Sequence, residues 1–311
     1  METVITKNKV KGQPIFARHE TFHPRFGWLK KGFDKAIESN TIFSEESAST
    51  ALGVGKNMVK AIRYWSLAFK ILQEDTNKNS RAIIPTSFGK QLLGSDGWDP
   101  YLEDVVSLWL LHWNLLKLPC HATTWYYAFN IFNRHDFTSD DILNGLIEYK
   151  DREFPGSKIN VSSLSKDTTC LLRMYVEQGI KERLREDSID SPSVELGVIK
   201  HYGDTKHYAM NIGPKPGLIP EIIVAACLEF AASQVEGAKT ITISRLLYEE
   251  GSPGLCFKIK ENLLCEAIEI ISTQFDDIAL SETSGLIQFS FNKNPYQLSD
   301  MLLNHYYKKR G

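Results

Sequence analysis

The strongest constraint on the fold is a run from Val105 to Leu118 in which nearly every position is apolar or aromatic, Trp109 and Trp113 among them. A helix that is apolar on all sides is buried on all sides, so the rest of the chain has to be built around it. Ser107, His112, Asn114 and Lys117 interrupt the run, which is too short and too polar to span a membrane. His112 reads as a hydrogen-bonded core histidine rather than a base. Just upstream, Asp99 followed by Pro100 places a capping carboxylate beside a proline at the first helical position and predicts the helix start there. Glu103 and Asp104 then fall in the first turns, where the helix dipole favours negative charge. The next segment, HATTWYYAFN, predicts an aromatic helix paired with the first.

Ser44 to Leu72 carries the second constraint. Ala48 to Leu52 ends a short helix, Gly53-Val54-Gly55 breaks it, and Lys56 begins another, in which Met58, Ile62, Trp65, Phe69 and Leu72 form one apolar stripe. Lys56, Asn57, Lys60 and Arg63 occupy the opposite side. A packed helix with a basic, amide-bearing outer face, reached through a tight turn, has the pattern of a helix-turn-helix and its recognition helix. Arg81 to Thr86 supplies an extended run suited to a wing, after a polar loop from Glu74 to Ser80. A helical hairpin with solvated cations would give the same pattern.

The segment HETFH, residues 19–23, matches the zinc-peptidase pattern HExxH. That chemistry needs both histidines on one continuous helix, and Pro24 forces His23 out of the helical region. A turn leading into a helix from Gly27 to Ser39 is expected instead, with Arg18 and Arg25 in a polar cluster flanked by Phe16, Phe22 and Phe26. The carboxylates Asp96, Asp99, Glu103 and Asp104 could converge on Mg²⁺ or Mn²⁺ for phosphodiester chemistry, although capping accounts for Asp99. Five cysteines form no CxxC pair, which suits small core residues in a reducing cytoplasm.

Further along, Thr138 to Asp141 caps a helix, and a second follows from Ser162 or Ser165, a weaker helix-turn-helix. Ser191 to Pro216 reads as extended, with two strand-like halves around Gly203-Asp204 and His201 and His207 near the tip. The last third predicts a helix after Pro220, two further helices around a Gly-Ser-Pro turn, and two alternating runs about Thr283-Ser284-Gly285, the ending of a winged helix. Glu261, Glu266 and Glu269 make its second helix unsuited to phosphate. The expected fold class is therefore mainly α: tandem winged helix-turn-helix units around a buried central helix, with short β-hairpins. The expected divisions are an arm and helix-turn-helix over 1–94, a central helical unit over 95–190, a β-hairpin connector over 191–217, and a winged-helix-like unit over 218–311.

The apolar and charged fractions, 42% and 24%, are ordinary for a soluble globular protein. The polar start, METVITKNKVKG, has no apolar core of the kind a signal peptide needs. Net charge is −2, so affinity for nucleic acid must come from local clusters. The first quarter is the most cationic, with Lys7, Lys9, Lys11, Arg18, Arg25, Lys30, Lys31 and Lys35 leading into Lys56, Lys60 and Arg63.

RHETFHPRFGWLKKG, ALGVGKNMVKAIRYW, DGWDPYLEDVVSLWLLHW, TWYYAFN and SPGLCFKIKENLL, in that order, resemble the bacterial DUF4007 family over nearly the whole chain. The resemblance implies a component of DNA phosphorothioation and related anti-phage systems, working beside a cysteine desulfurase, an ATP pyrophosphatase and an ATPase. One branch of the family is a DNA-nicking endonuclease, which would give Asp99, Glu103 and Asp104 a catalytic role. The leading expectation is double-stranded DNA contact through Lys56, Asn57, Lys60 and Arg63, supported by Arg18 and Arg25. The competing ones are a non-catalytic adaptor for the modification enzymes and a transcriptional regulator of its own cluster.

Overall fold

The computed structural model describes residues 14–76, 82–177, 191–283 and 285–310. Lys7, Lys9, Lys11, Arg81 and Ser284 lie outside the described residues. The chain is mainly helical, with three small antiparallel sheets among the described residues, and none of the described helices is long and apolar enough to cross a membrane.

The first elements are α1 (Trp28–Glu38), α2 (Ala48–Leu52) and α3 (Lys56–Ala68). Gly53 ends α2 at φ 61°, a left-handed conformation that glycine adopts without steric cost, and the chain re-enters a helix at Lys56. The stripe on α3 is buried as expected at Ile62, Trp65 and Phe69. The helix nevertheless stops short of Leu72, because Lys70 turns left-handed at φ 57°. Leu72 reaches the core from a strand instead, β1 (Leu72–Glu74), which pairs with β2 (Ile83–Pro85); β2 lies within the extended run expected there. Helix α4 (Ser87–Leu93) follows, capped by the Thr86 hydroxyl accepting from the Gly89 N–H.

The all-apolar run forms α5 (Val105–Leu116), with every residue from Val106 onward buried. Burial of a polar group without a partner is costly, and apart from Asn114, which donates to the Leu110 carbonyl, the polar side chains of this helix find theirs far along the chain. Ser107 meets the Tyr307 hydroxyl at 2.8 Å, and the Trp109 indole donates to the Pro216 carbonyl at 2.8 Å. His112 lies 2.8 Å from the Tyr175 hydroxyl and 2.9 Å from the Cys256 carbonyl, while Trp113 donates to Glu229 at 2.7 Å.

The start of α5 differs from expectation. Asp99 and Pro100 lie in a turn, Leu102 sits left-handed at φ 57° with its side chain in the core, and Asp104 is the N-cap, accepting from the Val106 N–H at 3.0 Å. The Asp99 carboxylate does satisfy orphan backbone donors, but they are the N–H groups of Glu103 and Asp104, at 3.0 and 2.9 Å. Helix α6 (Thr123–Asn130) is the expected aromatic neighbour.

Strand β3 (Asp136–Thr138) leads into α7 (Ser139–Glu153), which begins with a capping box between Thr138 and Asp141. Helix α8 (Val161–Tyr175), capped by Asn160, precedes the hairpin β4 (Ile199–Tyr202) and β5 (Asp204–Met210). The hairpin forms around Gly203 as read from sequence, and β5 also pairs with β3, placing Phe137 opposite Tyr208. The last third holds α9 (Pro220–Gln234), β6 (Thr240–Thr242), α10 (Ile243–Tyr248), α11 (Pro253–Phe257), α12 (Glu261–Ser272), β7 (Ile278–Thr283), β8 (Leu286–Phe291) and α13 (Pro295–Arg310). Its strand order, β6-β8-β7, repeats the β3-β5-β4 order of the middle third. One continuous core runs from Phe16 to Tyr307.

Candidate nucleic-acid interface

The outer face of α3 borders a cleft of about 920 Å³. Its walls come from four places in the sequence, and each is held there for a local reason. Lys60, Arg63, Tyr64 and Leu67 project from α3. The same segment continues the wall with Lys70, Leu72, Gln73 and Glu74, from the bend into β1 and the strand itself. Thr86, Ser87 and Phe88 line it from the start of α4, which lies so close to the bend that a Cβ on Gly89 would fall 2.1 Å from the Ile71 carbonyl oxygen. Pro119 and His121 come from the loop after α5.

The fourth wall is the turn at residues 17–21. His19 is fully buried, with Nε2 2.6 Å from an Asp167 oxygen on α8. The same carboxylate accepts from the Ala17 N–H at 2.9 Å and the Thr124 hydroxyl at 2.8 Å. Ala17, Glu20 and Thr21 take left-handed conformations around this anchor, and the flanking Arg18 and Glu20 face the cleft. The Phe22 carbonyl accepts the Trp65 indole N–H at 2.9 Å, fastening the turn to α3. HETFH is thus a packing anchor: His19 serves a carboxylate, His23 is buried separately, and neither lies in a helix.

The exposed part of the cleft is charged. Lys60 lies 3.3 Å from Glu20, and Arg63 lies 2.7 Å from Glu74; such solvent-facing pairs contribute little to stability. The deeper lining is aromatic and apolar. Tyr64 is 8% exposed and donates to the His121 carbonyl at 3.2 Å. Lys70 donates to the carbonyls of Asn114 and Lys117, at 2.8 Å for the latter, and so also closes the C-terminus of α5. Burial pushes its amine down to about 7. Burial and the nearby Lys70 also lower His121.

Of the residues singled out from sequence, Arg18, Lys60 and Arg63 meet at this cleft. Lys56 and Asn57 are exposed on the first turn of α3, outside the cleft lining. Arg25 is elsewhere, half-buried, with its guanidinium 5.6 Å from the Phe22 ring and 5.5 Å from Trp28. Tyr64, Lys70, Phe88 and His121 were not legible in advance. A cation inside the apolar run AFKIL was the one available sign, for Lys70.

The carboxylates form a different site. Asp99 and Asp104 are each 6% exposed, and Asp104 also accepts from the Tyr306 hydroxyl at 2.9 Å and pairs with Arg310. Glu103 is exposed. Among the described residues no three His, Cys, Asp or Glu side chains gather where an ion could be held, so Asp99, Glu103 and Asp104 offer no preformed metal cage. His201, near the hairpin tip, contacts the Tyr208 ring, 5.2 Å between centroids. Cys120 is buried, its thiol donates to the Leu115 carbonyl, and burial raises its pKa, which suits packing rather than sulfur transfer.

Comparison with known proteins supplies the family. No curated protein matches the chain. Two solved structures are similar to it. One, described as a magnesium ion-bound SspB crystal structure, is 36% identical with a TM-score of 0.90, covering 97% of this chain and 90% of its own. The other, an SspB crystal structure, is 37% identical with a TM-score of 0.88, covering 95% and 88%. The model of the family described as "Protein of unknown function (DUF4007)" matches residues 16–307, and the chain belongs to that family.

Proposed function

We propose that this chain is the DNA-binding component of a bacterial DNA phosphorothioation system, working in the cytoplasm beside a cysteine desulfurase, an ATP pyrophosphatase and an ATPase. The observation that carries this reading is the outer face of α3, where Lys56, Asn57, Lys60 and Arg63 stand outward with Arg18 across from them. Lysines hold phosphates, while Asn57 and Arg63 have the donors and acceptors to read base edges. Likeness to SspB supports the sulfur-modification setting. The repeated strand order supports a tandem winged-helix reading of the fold, with α3 as the reading helix of the first unit and β1-β2 as its wing.

The Lys60→Glu, Arg63→Glu variant is expected to bind a duplex about tenfold more weakly or worse, with a shallower salt dependence. Unchanged affinity at low salt in a gel shift would sink the reading. Nicking of one strand is the finer proposal. It is checked by relaxation of supercoiled plasmid with Mg²⁺ or Mn²⁺ against EDTA, beside Glu103→Gln, which changes an exposed carboxylate and leaves the buried Asp99 and Asp104 in place. Metal-dependent nicking that this variant loses supports a role for Glu103; no nicking by the unaltered protein removes the endonuclease reading.

One observation favours an adaptor instead: Glu20 and Glu74 already pair with Lys60 and Arg63. Copurification with the modification enzymes without any gel shift would select it.

A further inference from the structure

The cleft beside α3 is too small for a duplex and differs in chemistry from the helix face that borders it. Pockets of roughly 300–1,000 Å³ enclose small molecules, and this one, at about 920 Å³, falls within that range. Its exposed lining carries Arg18, Lys60 and Arg63, which suit phosphate. Its interior offers Tyr64 and Phe88 with Pro119 and Leu67, flat or apolar surfaces on which a planar ring can rest. Gln73, Thr86 and Ser87 add both donors and acceptors at the edge. Cations outside and aromatic side chains inside are the combination by which proteins hold unpaired nucleotides, and a base taken out of the stack needs such a pocket.

We infer that the cleft receives one unpaired nucleotide of the DNA, extruded from the duplex that α3 engages. The inference rests on the DNA-binding reading above and names the part of the substrate that enters the protein. The phosphates flanking the extruded nucleotide take over Lys60 and Arg63 from Glu20 and Glu74, and its base lies against Phe88 and Tyr64. Phe88 fits this use: it is half-buried, packed against the core from the start of α4, and part of the cleft wall.

The test measures binding of two otherwise identical duplexes by fluorescence anisotropy, one fully paired and one with a single mismatched 2-aminopurine, whose emission reports unstacking. The unaltered protein is expected to bind the mismatched duplex about tenfold more tightly and to raise its 2-aminopurine emission. Phe88→Ala should erase that preference, so that the mismatched and paired duplexes bind with equal affinity. Ser87→Trp, placed at an exposed position, fills the cleft without opening the core and should do the same if Phe88→Ala proves unstable. Equal affinity for the two duplexes, or a preference that survives both substitutions, overturns the inference while leaving DNA binding intact. Failure of the unaltered protein to bind either duplex overturns the DNA-binding reading and this inference with it.

Discussion

Single residues in this protein take their character from partners distant in sequence. His112 is the clearest case, because its position in an apolar run already marks it as a core residue and its two partners, Tyr175 and the Cys256 carbonyl, complete it. Burial pushes it down to about 4, with smaller contributions from Lys215 and Lys258. The unfolded chain takes up a proton at this histidine near pH 6.5 and the folded chain only near 4, so stability is lost as pH falls through that window. The loss is on the order of 3 kcal/mol, and it should be largely absent in His112→Gln when urea denaturation at pH 7 is compared with pH 4.5. Lys70 was illegible for the converse reason. Its neighbours Phe69 and Ile71 suggest a helix edge, whereas its role depends on carbonyls 44 and 47 positions away.

At the scale of elements, boundaries were read well where the cap lies beside its helix and poorly where a tertiary contact moves it. Thr138 and Asp141 form a capping box in place. Asp99-Pro100 carries an equally strong start signal, yet burying Leu102 delays the helix until Asp104. Strand β3 spans three residues and makes sense only as a partner of β5; no periodicity is visible over so short a length. Asp104 both caps α5 and receives Tyr306 and Arg310 from α13. Asp104→Ala should therefore cost more than an isolated N-cap, about 2–4 kcal/mol, and should loosen α13. Hydrogen exchange across residues 295–310 checks this: protection should fall there before it falls in α1.

For the whole molecule, the repeated strand order of the middle and last thirds was only half visible, since each hairpin could be read but not the return of its second strand to a strand before the helices. The basic face of α3 was legible because it is local; the cleft beside it was not, because its walls come from four separate segments. Units that look separable in sequence share one continuous core, so thermal unfolding should give a single transition, with near-ultraviolet circular dichroism and tryptophan fluorescence coinciding. Two resolved transitions would mean that the shared core does not couple them. The central helix has a further consequence for how the protein is made. Synthesis runs from the N-terminal side, yet the groups that cover α5 arrive later, at residues 175, 216, 229, 256 and 307. While the ribosome is still adding the last of these, the most apolar of the described helices is already outside and incompletely covered, a target for chaperones and for other nascent chains.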